Sequence, residues 1–178
     1  MRIIAGKYKA KKLSFPTDKK IRPTADIVKQ AMFTTLFNKV ENSVFLDLFC
    51  GSGQVGIEAL SRGADKVFFV DNNYDAINIT KKNLKDIQGN FEMFKMHYAP
   101  YLRQAKNKFD IIFVDPPYES NYYKEVLDLI IKFDVLNDGG LVICEHNNNY
   151  VIENSSFELM QRKKYGIKAL SYLIKKSS

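Results

Sequence analysis

Between residues 43 and 146 the chain alternates short, almost wholly apolar runs with longer segments whose apolar residues recur every three or four positions. The runs are SVFLDLF, KVFFVD, NFEMFK, FDIIFV and GLVICEH. Each is apolar at consecutive positions, so the strand it forms must be covered on both faces, as in a parallel sheet packed between helices. Helical spacing predicts helices at about 54–62, 74–87 and 122–132, and a shorter one near 99–106. Strands alternating with helices make this an α/β chain with a doubly wound sheet. FELMQRKKY and KALSYLIKK follow with only a turn at Gly166 between them, so they should form an antiparallel pair at one edge.

The first 40 residues read differently. RIIAGKYKAKKLSF has two short β-prone stretches around Gly6, which predicts a small basic hairpin. RPTADIVKQAMFTTLF predicts a helix: Pro23 restricts the chain before it, Thr24 can cap it, and Ile27, Ala31, Met32 and Phe37 fall near helical spacing. No repeat, low-complexity tract or linker interrupts the pattern. With 178 residues and 46% hydrophobic content, the chain can bury one sizeable core. One domain over 1–178 is expected, with 1–22 as a basic hairpin extension and 23–178 as the core.

Charge sharpens this picture. Residues 1 to 30 hold nine Lys or Arg against Asp18 and Asp26, which equals the whole net charge of +7. From Arg162 to the end stand six more bases and no acid, so the middle of the chain is acidic. Two basic ends meeting on one side of the fold would suit a polyanion. No apolar run reaches the ~18 residues of a membrane span, and the start is not a secretory signal. Cys50 and Cys144 lie far apart, without the spacing of a zinc site or a disulfide framework. A cytoplasmic monomer with reduced, buried thiols is expected.

Candidate chemistry begins where the first strand runs into LDLFCGSGQVG. Gly51, Gly53 and Gly56 satisfy GxGxxG, a tight turn that lets a ligand approach the backbone at a helix start. Alone the match is weak. Asp47, just upstream, would repel a pyrophosphate but attract a ligand with a cationic amino-acid end, such as S-adenosylmethionine. The second strand ends at Asp71, an acid that can hold two ribose hydroxyls of either NAD or S-adenosylmethionine. As a plain helix N-terminal residue, Asp71 or Asn72 also has a purely structural reading, the lesser of the two. The fourth strand ends in DPPY, residues 115–118, where a plain turn would use Gly, Asn or Ser rather than two prolines.

LDLFCGSGQVGIEALSRGA, the VD of the second strand and FVDPPY together resemble the Rossmann-like, class I S-adenosylmethionine-dependent methyltransferases that modify exocyclic amines. RIIAGKYKAKKL and RPTADIVKQAMF are similar to one branch, the bacterial small-subunit (16S) ribosomal RNA guanine-N2 methyltransferases. The resemblance implies a seven-stranded sheet in the order 3-2-1-4-5-7-6 with strand seven antiparallel. It implies that Asp47, Phe49 and the backbone at Gly51 and Gly53 face the methionine part of the cofactor, and that Asp71 with Asn72 takes the ribose. His97 and Tyr98 fall where such enzymes read the adenine, although an Asp or Asn is usual there. Asp115, Pro116, Pro117 and Tyr118 become the catalytic motif. Arg2, Lys7, Lys9, Lys11, Lys12 and Arg22 become RNA contacts. The implied partner is small-subunit ribosomal RNA or an assembling ribosomal particle.

The motif suits this chemistry. The guanine amine is a poor nucleophile because its lone pair is delocalised into the ring. Acceptors aimed at its two N–H bonds, the Asp115 carboxylate and the Pro116 carbonyl, favour a pyramidal nitrogen. The prolines stiffen the backbone so that the carbonyl stays aimed, and Tyr118 offers a ring for an extruded base. No metal is required. DPPY would serve an adenine-N6 methyltransferase equally, but no residues remain for the separate recognition domain such enzymes usually carry. A dinucleotide-dependent oxidoreductase is opposed by Asp47, and a non-catalytic RNA-binding assembly protein by the intact Asp115 and Tyr118.

Overall fold

The computed structural model describes residues 1–16, 23–117 and 121–177, with the side chains at 23, 24 and 121 outside the description. In chain order the elements are α1 (Pro23–Thr35), β1 (Val44–Asp47), α2 (Gln54–Ser61), β2 (Lys66–Asp71), α3 (Tyr74–Leu84), β3 (Phe91–Lys95), α4 (Tyr98–Gln104), β4 (Phe109–Val114), α5 (Asn121–Lys132), β5 (Leu136–Asn147), β6 (Phe157–Tyr165) and β7 (Lys168–Lys175). The strands form one sheet in the order β3-β2-β1-β4-β5-β7-β6. β1 to β5 pair in parallel, whereas β7 is antiparallel to both β5 and β6. The expected strand order and the antiparallel pair at one edge are both observed.

Burial explains the unbroken apolar runs. Phe45 and Leu46 of β1 are both fully buried, one in each of two cores. One core packs α1, α2 and α3 against the sheet; the other packs α4 and α5 on the opposite face. α2 lies close to the sheet because Gly56 has no side chain: a Cβ there would sit 2.3 Å from the Phe69 ring. β1 lies between β2 and β4, where the strand order reverses, so a crevice opens at the carboxyl ends of β1 and β4.

Element ends differ from expectation where local chemistry intervenes. α4 starts at Tyr98, one residue early, because His97 is its N-cap. Pro100 then falls in the first turn, where no intrahelical N–H is needed. β5 begins at Leu136 instead of Gly140, and its register against β4 shifts between Phe109 and Ile111. The cap expected of Thr24 lies outside the described side chains.

The expected amino-terminal hairpin is present in a minimal form: the Ile3 N–H donates to the Lys11 carbonyl at 3.0 Å and the Leu13 N–H to the Met1 carbonyl at 3.1 Å. An isolated antiparallel bridge joins Arg2 to Lys12, and the chain between them turns through Gly6 and Ala10 at φ of 84° and 70°. Beyond that bridge the chain turns to α2 instead: the Ile4 and Ala5 N–H groups donate to the carboxylate of Glu58, at 2.9 and 3.0 Å. Lys29 closes the same knot. It is buried, 3.5 Å from Glu58, and donates to the Arg2 carbonyl at 2.8 Å. By sequence Lys29 adds to the basic end, yet its charge is spent inside the fold, where burial lowers its pKa. Among the described residues, the bases at 7–12 do not converge with those of β6 either. Residues 6–11 pack near Ser61, Asp86 and Gln88, beside the β2–β3 side of the sheet, while β6 is the far edge strand.

Candidate active site

The cofactor half of the crevice is a loop held by carboxylates. Gly51 and Gly53 adopt φ of 55° and 76°, the left-handed region that favours glycine. Gly51 N–H donates to Asp71 Oδ2 at 2.9 Å, and Asn73 N–H donates to Asp71 Oδ1 at 2.9 Å. Asp71 thus clamps the loop after β1 to the end of β2. It does not cap α3; Asn73 does, accepting from the N–H groups of Asp75 and Ala76. Asn72 is exposed on the rim. From below, Thr80 donates to the Gly51 carbonyl and Asn83 to the Ser52 carbonyl, both at 2.9 Å. Sequence reasoning misses these two α3 residues, because amphipathic spacing alone does not show what a polar residue on a helix supports.

Asp47 is only 1% exposed and accepts from Gly56 N–H at 2.9 Å. Burial pushes its pKa up to about 7; the Gly56 hydrogen bond opposes the rise and the Asp71 charge adds to it. A carboxyl so placed binds a cation well, because an incoming positive charge offsets the cost of ionising it. Above Gly51 a Cβ would meet nothing within 4 Å, so the loop leaves space there for a ligand to lie against its backbone. A cation-seeking acid, a glycine cradle and a second acid with lone pairs to spare fit S-adenosylmethionine.

An aromatic wall closes the α4–α5 side. Phe49 lies 5.3 Å from the Tyr98 ring and 6.3 Å from Tyr122, and Tyr98 lies 5.7 Å from Tyr122. Tyr98 is buried, and burial together with the Glu125 carboxylate holds its phenol above the ordinary range. His97 is exposed; its Nδ1 faces Ala99 N–H at 3.5 Å and its ring lies 4.2 Å from Tyr98.

Asp115 stands at the end of β4, partly exposed, with Pro116 buried and Pro117 exposed behind it. The Lys168 ammonium at the start of β7 is 4.0 Å from Asp115 Oδ1 and 3.0 Å from Glu145 Oε1 at the end of β5. No motif or spacing in the sequence marks Glu145 or Lys168. Tyr118 lies outside the described residues, as does Arg22. Strand pairing brings Asp47, Phe49, the glycine loop, Asp71 and Asp115 to one edge, since Asp47 pairs with both Phe69 of β2 and Phe113 of β4. The amino-terminal lysines are not there. Lys7, Lys9 and Lys12 are exposed, and Lys11 pairs with Asp86 at 3.5 Å. Lys7 and Tyr8 dock where α2 ends and β3 is about to begin, toward the amino ends of the strands, whereas Ser14 exchanges hydrogen bonds with Asn83, the residue that holds the Ser52 carbonyl.

A sheet of this order, with a glycine loop at its switch point, is the fold of a class I methyltransferase. Residues 1–174 match the family described as Conserved hypothetical protein 95, and the chain belongs to that family. It is 33% identical over 173 residues to Ribosomal RNA small subunit methyltransferase D of Haemophilus influenzae, covering 94% of this chain and 90% of that one. The Escherichia coli (strain K12) protein of the same name is 32% identical over 146 residues, 82% of this chain and 74% of that one. Among solved structures, yhhF from Escherichia coli superposes with a TM-score of 0.90 at 28% identity, covering 100% of this chain and 99% of that one. HI0767 from Haemophilus influenzae gives 0.81 at 30% identity, covering 97% and 96%.

Proposed function

We propose that this protein transfers the methyl group of S-adenosylmethionine to the N2 amine of a guanine in small-subunit ribosomal RNA. The observation that carries the reading is the meeting, at one strand edge, of a buried acid under a glycine cradle with the Asp115-Pro116-Pro117 turn. The relatives named for small-subunit ribosomal RNA methylation support the RNA substrate. When bound, S-adenosylmethionine supplies a sulfonium methyl, an electrophile that needs no further activation.

The chain's own residues do the rest. Asp47 faces the cationic amino-acid end, and Asp71, with two of its lone-pair sites taken by Gly51 and Asn73, offers the others to the ribose hydroxyls. Phe49, His97 and Tyr98 border the adenine. Asp115 and the Pro116 carbonyl accept from the target amine and turn its lone pair toward the methyl. Tyr118 stacks on the extruded base. Arg2, Lys7, Lys9, Lys11, Lys12 and Arg22 bind phosphates of RNA flanking the target, and their distance from Asp115 suits a substrate that wraps one side of the sheet.

The test is nucleoside analysis of small-subunit RNA from cells with and without the gene, paired with labelled methyl transfer by the purified protein. The expected result is one N2-methylguanosine that disappears with the gene and is restored in vitro. N6-methyladenosine as product, or no transfer to free or assembled RNA, would overturn the reading.

A further inference from the structure

We propose that Glu145 and Lys168 read the Watson–Crick edge of the target base and select guanine, an inference that rests on Asp115 receiving the amine. Val114 of β4 pairs with Cys144 of β5, so Asp115 and Glu145 follow side by side. Glu145 pairs with Leu170 of β7, and Lys168, two residues before Leu170, points to the same face. The Lys168 ammonium therefore reaches both carboxylates, 3.0 Å from Glu145 and 4.0 Å from Asp115. The side chains of Lys168, Glu145 and Asp115 are 36%, 19% and 38% exposed, open to a ligand at the carboxyl edge.

The frame behind them is rigid. The Tyr123 hydroxyl donates to the Glu145 carbonyl at 2.6 Å, and His146 Nε2 meets Ser171 Oγ at 2.8 Å, locking β5 to β7. Arg162 of β6 donates to the carbonyls of Asn148 and Tyr150 in the following loop. Two groups on locked strand ends can hold a fixed pattern of donor and acceptor, which is what reading a base requires.

That pattern matches one base. Guanine presents, in order along one edge, its N2 amine, the N1–H donor and the O6 acceptor. With the amine on Asp115, the Glu145 carboxylate accepts from N1–H and the Lys168 ammonium donates to O6, keeping its other protons for the carboxylates. Adenine and cytosine both carry an unprotonated ring nitrogen beside their amine, on the Watson–Crick edge. Glu145 would direct a negative charge at that lone pair, and the mismatch of two acceptors rejects the base.

The test uses small-subunit RNA whose mapped target nucleotide is either guanine or 2-aminopurine, built by ligation around a synthetic segment and offered both free and assembled with small-subunit proteins. 2-Aminopurine keeps the amine but has an acceptor at N1 and no O6. The native protein should prefer guanine in single-turnover methyl transfer by roughly 10- to 100-fold, the scale of one bidentate base contact. Glu145→Gln, whose amide can donate to N1, should bring the ratio close to one or reverse it. Lys168→Met should slow transfer to guanine while leaving 2-aminopurine nearly unchanged, and Lys168→Arg should retain the native preference. Cofactor affinity equal to native in every variant certifies the fold. A native ratio near one, or a ratio that Glu145→Gln leaves unchanged, overturns the inference while guanine methylation stands. No transfer by the native protein to guanine in either form of the RNA overturns the underlying function as well.

Discussion

The two halves of the carboxyl edge hold their acids in different ways. At β1 and β2, Asp47 and Asp71 accept from the backbone N–H groups of Gly56, Gly51 and Asn73. At β4 and β5, Asp115 and Glu145 share the side-chain cation of Lys168. Backbone donors cannot leave without unmaking the loop, so the first half is a fixed cradle, suited to a cofactor that is the same at every turnover. A partly exposed ion pair is worth little and opens easily, so under the proposed function the second half would yield to an incoming base. Under the proposed function, rigid backbone would serve the constant ligand and side-chain charges the one that must be inspected.

The largest expected effect lies in the fixed half. The Asp47 carboxyl is displaced from its ordinary 3.8 to about 7. A carboxyl whose folded-state pKa is raised takes up a proton on folding, so its contribution to stability is full below about pH 4 and is lost as the pH rises to 7. The displacement is worth up to about 4 kcal/mol. Asp47→Asn keeps an acceptor for Gly56 N–H, so it should stabilise the cofactor-free protein at pH 7.5 by a large part of that amount. It should also weaken S-adenosylmethionine binding. Denaturant titrations at pH 4 and 7.5 check it: the gain should appear only at the higher pH, and an equal gain at both would show that Asp47 is not held against its charge.

A smaller effect is expected at Asp71. Removing it with Asp71→Ala should cost about 1.5–3 kcal/mol of cofactor affinity, the range for hydrogen bonds to a charged group. Calorimetric titration reads it directly, and unchanged affinity in a folded variant would take Asp71 out of the cradle.

The exchangeable half should respond least in stability. Lys168→Met should shift the unfolding free energy by under about 1 kcal/mol, as for other partly exposed ion pairs. A loss of several kcal/mol would mean that Lys168 is structural and would erase the contrast. Away from both halves, replacing Lys7, Lys9, Lys11 and Lys12 with Gln should leave cofactor binding intact. The salt slope of RNA binding should fall by about 0.7–0.9 for each phosphate that is no longer neutralised. An unaltered slope would return these lysines to a plain solvated surface.

Much of the fold is legible in the sequence because its logic is local. Runs such as FDIIFV are apolar on both faces and can only be inner strands, and β4 ends where Pro116 and Pro117 remove the donors a ladder needs. What sequence reasoning misses is non-local. The chain around Gly6 closes its short hairpin as it reads, but nothing in it shows that the Ile4 and Ala5 N–H groups are claimed by Glu58, some fifty residues away. Lys29 looks like one more surface base until the fold buries it beside that same acid. In the candidate site, the glycines and acids announce themselves by spacing. Glu145 and Lys168 do not: the antiparallel return of β7 brings them together, and only strand register sets which face Lys168 joins.

Under the proposed function, Asp115 receives the amine and the cradle holds the cofactor independently of it. Asp115→Ala should bind S-adenosylmethionine as the native protein does, yet transfer its methyl roughly 10²- to 10³-fold more slowly, the effect typical of removing one preorganised hydrogen bond made in the transition state. Single-turnover transfer of labelled methyl to small-subunit RNA, at saturating cofactor, measures the rate, and a cofactor titration of the same variant measures the binding. Transfer at the native rate would contradict the account and leave Asp115 a strand terminator.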